Sequence, residues 1–367
     1  MLLLTPGPTP VPENIRMAMS EPTIHHRTSE FEEIFAKTKV LLKELFNMEE
    51  VLMLASSGTG AMEACVLNLC KSKALTINAG KFGERFSEIC KAHGKDFTEL
   101  KYDWDTPANI DDIVNSVKND KKIDAIFIQI CESSGGLRHP VEIIAKELKK
   151  IRPKIMIVAD GITAVGVEKI DTTNIDALIS GSQKALMLPP GLALIGLSHD
   201  GIKIIKESGA GYYLNLKIEL AQQKNNTTAY TSATTLIVGL KTILEQLHVD
   251  GFNKLYIDTK RRSHGAKKAL KEIGLTIFPK SSAVAMSAVY DKDAMKIREL
   301  LKSKYMVNIA GGQNHLKTTL FRINHMGLVD DYKTAWTLNA IEIVLEEIGR
   351  RSYNGTANKI FTKEIIQ

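Results

Sequence analysis

Ile155-Met-Ile-Val-Ala-Asp160 is a run of five apolar residues closed by an acid. A strand with one wet face alternates apolar and polar residues, so an unbroken run of this kind reads as a strand buried on both faces. Similar runs stand at 51–54, 74–77, 125–130, 177–179 and 192–196, with helical patterns between them. Strands alternating with helices imply an α/β architecture, a mainly parallel sheet sandwiched by helices. One helix is legible over 29–46, where Phe31, Ile34, Phe35, Leu41, Leu42 and Leu45 recur at helical spacing.

Outward from this core the pattern changes twice. From about residue 233, long helical stretches at 236–247 and 252–273 lead into shorter strands at 275–278, 283–290, 307–310 and 319–323. A helix at 332–348 closes what reads as a smaller C-terminal α+β domain. At the other end, Thr5-Pro-Gly-Pro-Thr-Pro-Val-Pro12 cannot be helical, because proline lacks an N–H and fixes φ; it reads as an extended arm. The expected organisation is an arm over 1–20, a large domain over 21–250 and a small domain over 251–367, with neither an internal repeat nor a low-complexity linker.

The 367 residues are 44% hydrophobic, enough to bury more than one core. Lys+Arg 48 against Asp+Glu 42 leaves +6. Much of the excess is lysine on helical stretches, such as Lys146, Lys149, Lys150, Lys267 and Lys268. With no arginine-rich arm and no interleaved aromatics, these read as solvated faces, and no nucleic-acid partner is expected. No apolar run approaches the roughly 20 residues of a membrane helix. The apolar start stops at Pro6 and has no basic lead, so it is no signal peptide. Cys65, Cys70, Cys90 and Cys131 form no CxxC pair and read as reduced thiols of a cytoplasmic protein, with no metal site.

Three stretches carry chemistry. Ser56-Ser-Gly-Thr-Gly-Ala-Met-Glu63 follows a strand and opens a helix; small residues there offer N–H groups to an anion, although a plain turn has the same composition. It is neither a Walker A loop nor GxGxxG, since Glu63 stands at the third glycine position. Asp160 ends a buried strand, where α/β folds bind ligands, or else it caps a turn. Lys184, within Ser180-Gly-Ser-Gln-Lys-Ala-Leu186, follows another apolar run; partial desolvation there would supply the neutral amine that a Schiff base needs, whereas a surface lysine would simply snorkel. In this order the three suit pyridoxal 5′-phosphate: an anion cradle for the phosphate, a carboxylate for the pyridine nitrogen and an amine for the aldehyde.

Here the sequence resembles the class V aminotransferases of pyridoxal-phosphate fold type I, especially the alanine/serine–glyoxylate (serine–pyruvate) group. The resemblance spans Thr5-Pro-Gly-Pro8 to Phe321-Arg-Ile-Asn-His-Met-Gly327. Its most specific pieces are Ser57-Gly-Thr-Gly-Ala-Met-Glu-Ala64, Gly80-Lys-Phe-Gly-Glu-Arg85, Glu132-Ser-Ser-Gly-Gly136, the Lys184 segment and Pro189-Pro-Gly191. It implies that Lys184 is the Schiff-base lysine and that Asp160 pairs with the pyridinium nitrogen. It further implies that Ser57, Gly58, Thr59 and Gln183 hold the phosphate, that Phe82 and Ile162 cover the two faces of the ring, and that Ser133 lies near its phenolic oxygen. Thr228 and Thr231 would serve the cofactor of a neighbouring subunit in a homodimer, and Arg322 would grip the substrate carboxylate through a planar fork.

The chain departs from the family pattern at two places. Phe82 stands where tryptophan is frequent, and Gly135 replaces a threonine near the cofactor. His25 and His26 read as capping or subunit-contact residues beside the arm. The implied activity is transamination from a small L-amino acid, alanine or serine, to a small 2-oxo acid, glyoxylate or pyruvate, with aspartate as an alternative donor. A lyase or cysteine desulfurase reading lacks a cysteine after Lys184. A non-catalytic binding protein would have no need to keep Lys184, Asp160 and Arg322, and a nucleotide-dependent oxidoreductase lacks its glycine fingerprint.

Overall fold

The computed structural model describes residues 1–366. Its larger sheet has seven strands in the order Glu50–Ala55, Leu192–Leu197, Ala177–Gly181, Met156–Asp160, Ile123–Gln129, Lys73–Asn78, Asp96–Lys101. Only Leu192–Leu197 is reversed relative to the rest. Alternate strand residues feed two apolar layers. Val51, Met53, Ile126 and Ile128 pack with the helices Ser29–Phe46, Val141–Ile151 and Thr234–Asp250. Leu52, Leu54, Ala125 and Phe127 pack with Gly58–Leu69 and Lys81–Ala92 on the opposite face. Cover on both faces is what lets these strands be apolar without alternation. The exception is Asp96–Lys101, which has no apolar run: it lies at the sheet edge and is part-exposed along its length.

A second sheet of five strands runs Leu2–Leu4, Val307–Gly311, Leu320–Asn324, Met286–Tyr290, Thr276–Ile277. The helices Phe252–Glu272, Asp331–Glu347 and Thr356–Ile366 pack with it around a separate core. Three expectations change here. The helix expected to close the small domain is followed by one more, Thr356–Ile366, whose start is anchored by the buried Glu342 carboxylate, accepting from the N–H of Thr356 at 3.2 Å and of Ala357 at 2.8 Å. The strand expected over 283–290 begins only at Met286. The arm is irregular over 5–12 but is flanked by a strand, Leu2–Leu4, and a helix, Glu13–Ser20. That first strand pairs in parallel with Val307–Gly311, so the N-terminus closes the smaller sheet before crossing to the larger one.

Asp160 ends a parallel strand, and Gly58–Leu69, Lys81–Ala92, the hairpin over 131–138 and the loop carrying Lys184 follow the C-terminal ends of others. In an open α/β sheet that edge is where ligands bind. Among the described residues no helix is long and apolar enough to cross a membrane.

Phe127, in the middle of the sheet, meets Phe86 of the helix Lys81–Ala92 with ring centroids 5.1 Å apart, and both rings are fully buried. Phe127→Ala removes that contact and leaves a cavity. It should cost about 3–5 kcal/mol of stability, read as a lower urea midpoint at unchanged m-value, whereas Phe127→Leu should lose much less.

Candidate active site

Lys184 projects from the loop after Ala177–Gly181, and its Nζ donates to the Pro6 carbonyl at 2.6 Å. Burial lowers its pKa to about 8; Arg322 adds to the depression and Asp160 opposes it. The arm is fastened beside it twice more. Thr9 Oγ1 donates to the Lys184 carbonyl at 2.6 Å, and Thr9 N donates to the Gln183 carbonyl at 3.1 Å. Gly7 is required at this crossing: a Cβ there would lie 2.5 Å from Lys184 Nζ, and its φ of +113° is a region that side chains disfavour.

Asp160 is buried, with Oδ1 accepting from Ile162 N at 2.9 Å. Burial raises its pKa to about 7, with Glu132 adding to the rise. Its other oxygen has no protein donor among the described residues. Ile162 lines the same cavity and packs against Gly58, where a Cβ would sit 2.5 Å from Ile162 Cδ1. That close approach accounts for glycine at the start of the helix Gly58–Leu69. Ser57 caps this helix by accepting from Gly60 N at 3.4 Å, which leaves the first N–H groups, those of Gly58 and Thr59, without helical acceptors.

The far wall hangs on Glu132. Its carboxylate is fully buried and accepts from Phe82 N at 3.0 Å, Gly83 N at 2.8 Å, Ser134 N at 3.0 Å and Ser134 Oγ at 2.6 Å. Burial still pushes the carboxyl above its usual range, against those donors. The contacts fix Phe82 at the first turn of Lys81–Ala92, and they fix the peptide of Ser133. Gly135 also gains a reason: a Cβ there would stand 2.6 Å from the Trp104 carbonyl, so threonine does not fit this hairpin. Neither the role of Glu132 nor that of the Pro6 carbonyl is visible in residue spacing. Glu132 lies within the Glu132–Gly136 segment, but its carboxylate is received mainly by backbone N–H groups, which no residue type marks.

Ser57, Gly58, Thr59, Phe82, Ser133, Asp160, Ile162, Gln183 and Lys184 line one cavity, together with Arg85, Cys131 and Thr163. About 100 Å³ is free within it. A roomier hollow of about 420 Å³ near Asn47, Lys169, His248 and Tyr256 lacks this convergence, so size does not mark the site. Three expected residues lie elsewhere. Arg322 stands behind Ser133, donating from Nη1 to the Ser133 carbonyl at 2.5 Å and from Nε and Nη2 to the Gly311 carbonyl at 3.0 and 2.7 Å. Thr228 and Thr231 line a separate small cavity with Tyr213 and Tyr230, and Thr228 Oγ1 donates to the Tyr230 carbonyl. His25 sits in the turn before Ser29–Phe46, where its Nδ1 accepts from Arg27 N at 3.2 Å.

The residues present fit pyridoxal phosphate. Gln183 Oε1 is buried with no partner, and the amide can turn to offer its NH₂ to an anion beside the free N–H groups of Gly58 and Thr59. Asp160 keeps an oxygen free for a protonated ring nitrogen, and Lys184 supplies an amine of lowered basicity.

The family model described as aminotransferase class-V matches residues 3–329. An uncharacterized aminotransferase of Helicobacter pylori strain J99 is 50% identical over 368 residues, covering 100% of both chains. The serine–glyoxylate aminotransferase of Hyphomicrobium methylovorum is 27% identical, covering 98% of this chain and 94% of its own. Among solved structures, the aspartate aminotransferase of subgroup IV from Thermus thermophilus superposes with a TM-score of 0.89 at 32% identity, covering 95% of this chain and 100% of that one.

Gly7→Ala tests the crossing of arm and lysine. The new methyl would collide with Lys184 Nζ, so turnover should fall by at least about tenfold, equivalent to roughly 1.4 kcal/mol, with little change in melting temperature. Gly349→Ala is the control: it shares a positive φ but has nothing within 4 Å of its Cβ, so its turnover should stay normal. Equal turnover in the two variants would show that the arm does not constrain Lys184.

Proposed function

The chain belongs to the class V aminotransferases, which depend on pyridoxal phosphate, and from that premise we propose that it moves an amino group from alanine or serine to glyoxylate or pyruvate through Lys184. The observation that carries this reading is the buried Lys184 amine, of lowered basicity, in one cavity with Asp160. When bound, the cofactor supplies an aldehyde for amine exchange and a ring that accepts electrons from the substrate Cα.

The protein's part is binding, orientation and proton traffic. Lys184 Nζ, neutral at modest alkalinity, can act as nucleophile and then take a proton from the substrate Cα and return it elsewhere. The Asp160 carboxylate would hold a proton on the ring nitrogen. Its raised pKa reflects a buried anion with one oxygen short of partners, and a cationic ring nitrogen would provide the missing one. Ile162 and Phe82 would cover the two ring faces. The hydroxyl of Ser133 opens on the same cavity.

Arg322 is pre-set for a carboxylate. A guanidinium has five N–H donors, and three hydrogen bonds go to the carbonyls of Gly311 and Ser133. One donor remains on Nη1 and one on Nη2, the pair that a two-pronged carboxylate contact uses. Arg322→Lys keeps the charge and loses the fork. Thr228 and Thr231, outside the cavity of their own chain, suit a role in the cofactor site of a second copy, so the working form is read as a homodimer acting in the cytoplasm. Aspartate as donor is the second reading, favoured by the similarity to the Thermus enzyme.

Two experiments test the proposal. In the first, apoenzyme is mixed with excess pyridoxal phosphate at several pH values. Only the neutral amine attacks, so with a pKa of about 8 the loading rate should rise about tenfold from pH 7 to pH 9. Borohydride followed by peptide mapping should then mark Lys184; a mark on another lysine would remove the assignment. In the second, alanine, serine and aspartate are each mixed with the holoenzyme and the cofactor spectrum is followed. Alanine or serine should convert it fastest. Arg322→Lys should slow each half-reaction about 10- to 100-fold, the worth of one charged hydrogen bond. Conversion by aspartate alone would replace the donor and leave the reaction class in place.

A further inference from the structure

Arg85 has no part in the chemistry described so far, yet it opens on the Lys184 cavity. It lies in the helix Lys81–Ala92, one turn beyond Phe82, with its guanidinium carbon 4.9 Å from the Phe82 ring centroid. Nη1 donates to Thr59 Oγ1 at 3.0 Å, and this is its one side-chain hydrogen bond to the described residues. Among those residues no carboxylate lies within ion-pair distance of it, whereas Arg138, Arg261, Arg262, Arg350 and Arg351 all have acidic partners. Four of its five N–H donors have no protein acceptor among the described residues, and the side chain is part-exposed, so they are open to water or to a ligand entering the cavity.

The neighbourhood sharpens what that is. Thr59 is in the first turn of Gly58–Leu69, where unpaired N–H groups give the helix its partial positive end. A guanidinium placed there faces like charge, which is unfavourable unless an anion joins the two. The orphaned Gln183 amide borders the same cavity and can add a donor. The convergent donors belong to the helix end and to Thr59, among the residues lining the cavity, whereas Arg322 is not among them and is bound to the Ser133 and Gly311 carbonyls. Free N–H groups at a helix N-terminus, a guanidinium and an amide on one cavity suit the cofactor's phosphate better than a substrate carboxylate, for which Arg322 keeps its own two free donors.

We propose that Arg85 is a phosphate-reading residue: its guanidinium bridges Thr59 and the phosphate ester of the cofactor, and it makes the protein prefer pyridoxal phosphate over unphosphorylated pyridoxal. The contact also seats the guanidinium against Phe82, so the aromatic wall and the phosphate share one support. This rests on the reading that the cavity takes pyridoxal phosphate on Lys184.

The test uses full-length apoenzyme of wild type, Arg85→Gln and Arg85→Lys, titrated separately with pyridoxal phosphate and with pyridoxal. Losing a charged hydrogen bond should weaken pyridoxal phosphate about 10- to 100-fold in Arg85→Gln, with pyridoxal changed by less than about twofold. Lysine should restore part of the loss, since it keeps the charge without the fork. Inorganic phosphate should raise the melting temperature of the wild-type apoenzyme and do so less in Arg85→Gln. Equal losses for both ligands would make Arg85 a support for Phe82 only, and no loss for either would leave it without a binding role. A raised KM for aspartate at unchanged cofactor affinity would make it a side-chain carboxylate reader. Each of these three overturns the proposal while the wider reading survives. If wild-type protein traps neither ligand on Lys184, the wider reading itself falls.

Discussion

The buried carboxylate of Glu132 is the interaction on which the geometry of the site turns. Removing an anion from water is expensive, and it persists in a protein interior only when donors converge on it. Here four do, from Phe82, Gly83 and Ser134. Those four bonds join the helix that follows one strand to the hairpin that follows its neighbour. They set the Phe82 ring and the start of the helix that carries Arg85. They also set the Ser133 peptide, whose carbonyl receives Arg322. Gly80 and Gly83 are the steric counterpart: a Cβ on Gly80 would meet Glu132 at 2.5 Å, and one on Gly83 would meet the Ile77 carbonyl at 2.6 Å. The helix can approach the carboxylate this closely because both positions lack side chains.

Charge gives the cavity its second constraint. Lys184, Arg85 and Arg322 bring three basic groups to the region, and Asp160 and Glu132 bring two acidic ones. Glu132 accepts from backbone and hydroxyl donors and is also the charge that most supports the Arg322 guanidinium. The remaining excess is positive and suits a ligand set of one phosphate and one carboxylate. Burial is the leading cause of the shifts at both Lys184 and Asp160, and it drives both toward their neutral forms. At Lys184 that lowers the cost of a free amine, and at Asp160 it leaves a carboxylate that a cationic partner would stabilise.

Parts of this were legible in the sequence because burial leaves a mark on side chains. Continuous apolar runs located the strands covered on both faces, and the helical period of Phe31, Phe35 and Leu42 located a packed helix. The acid at 160 and the lysine at 184 could be read as strand-end groups for the same reason. What escaped has a common physical character. Asp96–Lys101 is a half-wet edge strand with nothing to distinguish it from a loop. Thr356–Ile366 is short and depends on a remote carboxylate for its start. The Pro6 carbonyl acts through the backbone, which every residue has. Arg85 belongs to the Gly80–Arg85 segment, but its lack of an acidic partner is a fact of three dimensions. Gly135, which looked like a lost hydroxyl, is instead a steric requirement of the Trp104 carbonyl.

The two sheets meet at the site through different kinds of link, and the difference bears on how it would work. Lys184 belongs to the larger sheet and Arg322 to the smaller, with its guanidinium held by one carbonyl from each side, Gly311 and Ser133. The N-terminal segment is the other bridge: Leu2–Leu4 is a strand of the smaller sheet, and a few residues later Pro6 accepts from Lys184. A substrate carboxylate drawn to Arg322 would therefore pull on the same smaller sheet that carries the strap over the lysine. A shift of that sheet would alter the Pro6 contact as well as the Ser133 contact. Arg322 and the strap over Lys184 thus share one strand, Val307–Gly311, which pairs with Leu2–Leu4 and supplies the Gly311 carbonyl.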